Sequence, residues 1–174
     1  VIVDNYGDKK LKEVCKTFGW KYLYSGVNLG LGKGHNKAVK YLKMKHRVHL
    51  MLNPDVFISS SSLSNSFSYL VAHDDIALLS PKLLSVDGTI QHICRLIPSP
   101  ISIIKRVFVH FLGRNNDDYE ERIGTAINPV VVPFIHGACI FVRASSFERV
   151  RGFDGRYFLY VEDLDLCREL ANYG

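Results

Sequence analysis

Strand and helix patterns alternate through the first half of this chain, and that alternation limits the folds open to it. Val1-Ile2-Val3 is apolar and runs into Asp4, as at the end of a strand. Leu11, Val14, Cys15 and Phe18 recur at helical spacing, and Gly19 fits the stop. Residues 20–24 read as a strand, residues 26–34 as a glycine-rich loop, and Ala38, Val39 and Leu42 mark a second helix. Residues 48–52 form a short apolar run suited to a buried strand, closed by Asn53-Pro54-Asp55. Serines 59–62 can cap a third helix carrying Leu63, Phe67, Leu70 and Val71, and residues 76–79 supply the next strand. Such alternation predicts an α/β fold, with a parallel sheet and helices on both faces. Ligands of such sheets sit at the carboxyl ends of the strands. Three loops fall there: Asp4-Asn5, the stretch after Tyr24, and Asn53-Pro54-Asp55.

The second half is less regular. Val86-Asp87-Gly88-Thr89 is a hairpin turn signal. Residues 101–112 are apolar with Lys105, Arg106 and His110 interspersed, and residues 115–121 make an acidic loop. Residues 130–135 and 139–142 read as strands flanking His136-Gly137-Ala138, and Phe147 and Val150 close a short helix before Gly152. No internal repeat or linker divides the chain. Its 174 residues suffice for one domain with a core.

The net charge of +5 favours an anionic partner. Nucleic acid is not expected: the lysines at 9–16 and 33–45 are spaced like a solvated helix face, and no zinc-finger or RNA-binding signature is present. No apolar run approaches the roughly 20 residues needed to span a bilayer. Cys15, Cys94, Cys139 and Cys167 form no CxxC pair and sit among apolar neighbours, as buried reduced thiols do. A cytoplasmic protein is expected on that ground.

Four stretches can carry chemistry. Residues 26–36, Gly-Val-Asn-Leu-Gly-Leu-Gly-Lys-Gly-His-Asn, are neither a P-loop nor GxGxxG, yet they place backbone N–H groups and Lys33 ahead of a helix, which suits a phosphate. A flexible turn accounts for the glycines equally well. Asp55, after a buried strand, can share a divalent cation with substrate phosphates, or simply end the strand. Asp4 can accept from a base or ribose, or serve as a turn residue. Glu162, Asp163 and Asp165 open a helical pattern directly after Phe158-Leu159-Tyr160-Val161. Acidic side chains suit a helix N-terminus, and an aromatic wall beside one of them would desolvate it toward the range of a general base. Asp165 reads as capping or structural.

Taken in order, these stretches form a series: Val3-Asp4-Asn5; Asn28-Leu29-Gly30 with Gly34 and Asn36; Leu52-Asn53-Pro54-Asp55; Ser80-Pro81-Lys82-Leu83 with Asp87-Gly88; Gly137-Ala138; Gly152-Phe153-Asp154; and Phe158 to Cys167. The series resembles the family 2 inverting glycosyltransferases, in particular their bacterial rhamnosyltransferase-like branch, over nearly the whole chain. The resemblance implies a single GT-A type, Rossmann-like domain over residues 1–174, with a mixed sheet and helices on both faces. It implies a nucleotide-sugar donor, such as dTDP-rhamnose, and Mg²⁺ or Mn²⁺ held at Asp55. Nucleotide contacts are implied for Asp4, Asn5, Asn28, Gly30, Asn36 and Asn53, and Asp163 is implied as catalytic base with Glu162 beside it. The acceptor is expected to be a glycan or a lipid-linked saccharide of cell-wall polysaccharide synthesis.

Asn53 stands where many members carry the first aspartate of Asp-x-Asp, leaving one obvious metal carboxylate. The family's first strand and helix are expected before Val1, and further chain after Gly174. The apolar, basic segment 101–112 suits either a core-facing helix or one lying on an anionic lipid surface at the inner face of the plasma membrane. A sugar-phosphate nucleotidyltransferase and a non-catalytic nucleotide-sugar-binding module are the alternatives.

Overall fold

The computed structural model describes residues 1–43, 46–91, 93–95, 123 and 126–173. The segment 101–112 and the acidic loop 115–121 lie outside the described residues. The first half alternates as its patterns predict: β1 (Ile2–Asp4), α1 (Lys9–Thr17), β2 (Tyr22–Tyr24), α2 (Leu31–Leu42), β3 (Val48–Leu52), α3 (Ser60–Ala72) and β4 (Leu78–Leu79). A hairpin of β5 (Leu83–Leu84) and β6 (Ile90–Gln91) follows, then β7 (Cys94–Arg95), β8 (Phe134–Ile135), β9 (Cys139–Arg143), α4 (Ala144–Arg149) and α5 (Glu162–Tyr173). The result is the mixed α/β, Rossmann-like architecture expected.

Local chemistry explains the helix boundaries. The Asp8 carboxylate accepts from the N–H groups of Lys10 (2.7 Å) and Leu11 (3.4 Å), capping α1. Ser59 does the same for α3 through Ser62 N–H at 3.1 Å. The strand expected over residues 20–24 is shorter than its apolar pattern. Trp20 instead stacks on Phe18, with ring centroids 5.1 Å apart, and both rings stay exposed.

The sheet is less parallel than the alternation implies. β1 and β2 pair in parallel, Ile2 with Tyr22 and Asp4 with Tyr24. The three-stranded sheet has the order β3-β9-β4, and β9 runs antiparallel to both neighbours. β9 arrives from the irregular half of the chain and takes the central position because it is apolar on both faces. Cys139, Ile140, Phe141 and Val142 are all buried. Phe147 of α4, Leu70 of α3, Phe153, and Leu166 and Leu170 of α5 close the core around it.

Arg143, at the end of β9, fastens α3 to this core. Its guanidinium donates to the carbonyls of Leu70, His73 and Ile76 and pairs with Asp74 at 3.0 Å. The Leu70 and His73 carbonyls lie at the end of α3, where the helix leaves acceptors unpaired, and Ile76 lies just before β4. Among the described residues no helix is long and apolar enough to cross a membrane.

Candidate active site

The motif segments are far apart in sequence, yet a chain of contacts joins them. The first link runs from β1 to the glycine-rich loop. The Asn5 side-chain oxygen accepts from Leu29 N–H at 3.3 Å and from the Ser25 hydroxyl at 3.1 Å. Within the loop, Asn28 accepts from Gly30 N–H at 3.0 Å, a local turn that sets up the start of α2.

The second link joins this loop to the segment before α5. Gly30 has φ of 76°, and a Cβ there would overlap the Phe158 carbonyl. Only glycine permits that conformation and that approach together. The third link is made by Asp163, whose Oδ2 accepts from Gly137 N–H at 2.8 Å while Oδ1 accepts from Leu164 N–H at 2.8 Å. The fourth runs from Ala138, whose carbonyl accepts from Asn53 N–H at 2.9 Å. Asn53 in turn holds the turn containing Asp55 through Val56 N–H at 3.1 Å. The loops after β1, β2 and β3, the turn between β8 and β9, and the start of α5 thus form one connected rim.

Several residues in this rim have structural work that the sequence does not disclose. Asp4 is buried and accepts from Tyr6 N–H (2.7 Å), Asp8 N–H (2.7 Å) and the Tyr22 hydroxyl (2.6 Å). The Tyr22 hydroxyl above all, then Tyr6 N–H, holds its pKa down at about 2, and the Tyr22 phenol is pushed up to about 12. Asn36 accepts from Phe153 N–H at 2.9 Å and donates to Phe153 O at 2.8 Å. It therefore anchors the Gly-Phe-Asp segment to α2. The amide pattern gave no sign of this, because the partners are 117 positions apart.

At the start of α5, Glu162 is buried, and no hydrogen-bond partner of its Oε2 is present among the described residues. Asp163 and Asp165 are half-buried in the same first turn. The Phe158–Val161 run does not form the aromatic wall expected beside them. Phe158, Leu159, Tyr160 and Val161 are all exposed, so their apolar surface faces solvent and does not enclose Asp163. Tyr160 and Val161 have φ of 66° and 69°. Two successive non-glycine residues in that region store strain, most of all the β-branched valine. Cys167, one turn further on, is buried, and burial pushes its thiol up to about 11, which disfavours the thiolate form.

Asp55 is exposed on its turn. Among the described residues no group of three or more His, Cys, Asp or Glu side chains is arranged to hold a metal. One hard carboxylate fits a cation whose other ligands are phosphate oxygens and water, and does not fit an all-protein cage. An apolar cleft between α3 and β3, lined by Val48, Leu50, Leu63, Phe67 and Phe141, contains none of the motif residues.

No family model matches the chain. Relatives are found among characterised proteins. The chain is 31% identical to the rhamnosyltransferase WbbL of Escherichia coli K12, over 98% of this chain and 65% of that protein. It is 30% identical to the N-acetylglucosaminyl-diphospho-decaprenol L-rhamnosyltransferase of Mycobacterium tuberculosis, over 88% of this chain and 54% of that protein. It is 24% identical to the low-salt glycan biosynthesis hexosyltransferase Agl10 of Haloferax volcanii, over 100% of this chain and 55% of that protein. The chain thus spans between about half and two thirds of the length of these relatives. It is related over nearly its whole length to rhamnosyltransferases and a hexosyltransferase.

Proposed function

We propose that this chain, rhamnosyltransferase-like along nearly all its length, is the GT-A type domain of an inverting glycosyltransferase. The observation that carries the reading is the connected rim, in which the glycine-rich loop touches the segment leading into Asp163, and Asp163 touches the β8–β9 turn that holds the Asn53–Asp55 turn. A nucleotide-binding loop, a carboxylate suited to a diphosphate-bound cation and a candidate base then border one site. Asp4, Asn5, Asn28, Gly30 and Asn53 frame its nucleotide side, and Asn36 braces the Gly-Phe-Asp segment behind it through Phe153.

The reaction is displacement at the anomeric carbon. Asp163 accepts the proton of an acceptor hydroxyl as that oxygen forms its bond to C1, and the bond from C1 to the nucleoside diphosphate breaks. Attack from the face opposite the leaving group inverts the configuration. Positive charge gathers on the sugar ring, as in glycoside hydrolysis. Asp55 would hold Mg²⁺ or Mn²⁺, which when bound neutralises charge on the departing diphosphate. Glu162, buried with an open acceptor oxygen, suits a donor group of the acceptor sugar or tunes the field at Asp163.

The relatives' names support rhamnose as the sugar transferred and, in the mycobacterial protein, a lipid-diphosphate-linked saccharide as acceptor; dTDP-rhamnose is the donor and a glycan or lipid-linked saccharide the acceptor proposed here. A lipid-linked acceptor would place this work at a membrane surface; its cytoplasmic face, in cell-wall polysaccharide synthesis, is the setting proposed. The test is a screen of nucleotide sugars for donor hydrolysis and for transfer to a polyprenyl-diphosphate-linked sugar, with Mg²⁺ or Mn²⁺. Transfer with inverted anomeric configuration is the expected result. Nucleotide binding without hydrolysis or transfer for any donor would leave a binding module and overturn the proposal.

A further inference from the structure

The geometry points to Gly137 as the positioning residue of Asp163. The inference rests on the reading of Asp163 as the base and adds the device that aims it. His136-Gly137-Ala138 forms a tight turn between β8 and β9, closed by Ala138 N–H donating to His136 O at 2.9 Å. The turn is pinned on both sides. His136 N–H donates to Ile93 O at 2.8 Å, and Ala138 O accepts from Asn53 N–H at 2.9 Å. Its remaining backbone donor, Gly137 N–H, meets Asp163 Oδ2 at 2.8 Å.

Leu164 N–H takes the other oxygen, so the carboxylate is gripped at both atoms by backbone donors and its plane is set. A carboxylate oxygen accepts more than one hydrogen bond, so each keeps capacity for an acceptor hydroxyl. Space is as specific as the hydrogen bond. A Cβ on residue 137 would stand 3.3 Å from both Asp163 Cβ and Oδ2, tight enough to push the carboxylate away by a few tenths of an ångström. Glycine at 137 therefore matters for the closeness of this approach, since its turn alone does not demand it. Small misplacements of a reacting group are costly to rate. The same turn joins the base to the Asn53–Asp55 turn, so the proton-accepting and diphosphate sides share one backbone brace.

Two measurements test the assignment. In ¹H–¹⁵N spectra, replacing the ionised Asp163 by the weaker acceptor in Asp163→Asn should move the Gly137 amide proton upfield, because a charge-assisted hydrogen bond is lost. A Gly137 amide that ignores this substitution would overturn the contact. In the intact enzyme, Gly137→Ala should lower kcat by about 10-fold while KM for the donor and nucleotide affinity stay near wild type. An unchanged kcat in Gly137→Ala would overturn the positioning role, as would an equal rise of donor KM with kcat unaltered. If the amide responds but Asp163→Asn keeps full turnover, the hydrogen bond stands and the base assignment beneath the inference fails.

Discussion

Asn36 and Phe153 hold each other by a paired hydrogen bond. The amide nitrogen of Asn36 donates to Phe153 O at 2.8 Å, and its amide oxygen accepts from Phe153 N–H at 2.9 Å. The pair locks the Gly-Phe-Asp segment to α2, with the Phe153 ring buried in the core beside Phe147. Asn36→Ala leaves the Phe153 backbone groups without partners, which costs roughly 1–3 kcal/mol. Urea denaturation should show that loss. Nucleotide titration under fully folded conditions should change little, since both amide groups already serve Phe153; a variant of wild-type stability that fails to bind nucleotide would put Asn36 on the ligand instead.

Asp163→Asn keeps the side-chain shape and removes proton-accepting power. Turnover in the intact enzyme should fall by roughly 10²–10⁴-fold with nucleotide binding preserved. Asp165→Asn, further into the helix, should leave turnover within a few-fold of wild type and reduce stability by about 1 kcal/mol or less. Steady-state transfer kinetics separate the two. A dead Asp165 variant beside an active Asp163 variant would reverse the assignment within the cluster.

Nucleoside diphosphate should bind more tightly with Mg²⁺ or Mn²⁺ than with chelator. Asp55 is the carboxylate proposed to carry that difference. Calorimetric titration of Asp55→Ala should give equal affinities with and without metal. Retained metal dependence would remove Asp55 from the site.

Histidines make the fold acid-sensitive. His35 Nδ1 and His49 Nε2 lie 3.1 Å apart, one donating to the other, with His46 against His49 and Phe147 and Phe153 around them. Burial lowers His35, and burial followed by the nearby His35 and His46 lowers His49 to about 3. Both folded values lie below the unfolded value near 6.5. Below that pH the unfolded chain takes up protons that the folded chain refuses. Stability is therefore full above about pH 6.5 and declines as pH falls toward 3, by an amount on the order of a few kcal/mol. Melting temperature between pH 4 and 7 checks the sign. The double variant His35→Leu/His49→Leu should flatten that slope, and an unaltered slope would place the sensitivity elsewhere.

Element order in the first half was legible because it depends on local pattern. The apolar run of β3, the serine cap of α3 and the stop at Gly19 each follow from neighbours within a few residues. The place of β9 was not legible. Its apolar run identifies a buried strand, but whether it lies parallel or antiparallel between β3 and β4 depends on how the irregular second half returns to the sheet. The environment of Asp163 was misread for a related reason. Sequence proximity to Phe158–Val161 suggested a desolvating wall, whereas the left-handed turn at Tyr160 and Val161 accompanies side chains that face solvent.

By itself, the sequence determined the kinds of residue available and their order: the glycine loop, the Asn-Pro-Asp turn, the Gly-Ala strand and the acidic helix start. It also determined the helix and strand periods that carry them. Only the tertiary structure decided which of these groups touch. Asp163 meets Gly137 across 26 positions, Gly30 packs on Phe158, Asn36 grips Phe153, and Tyr22 engages Asp4. Such contacts depend on distances of a few ångströms between segments whose separation along the chain carries no information about them. A carboxylate or amide looks the same in sequence whether a ligand or a backbone N–H finally satisfies it, and burial requires that one of them does.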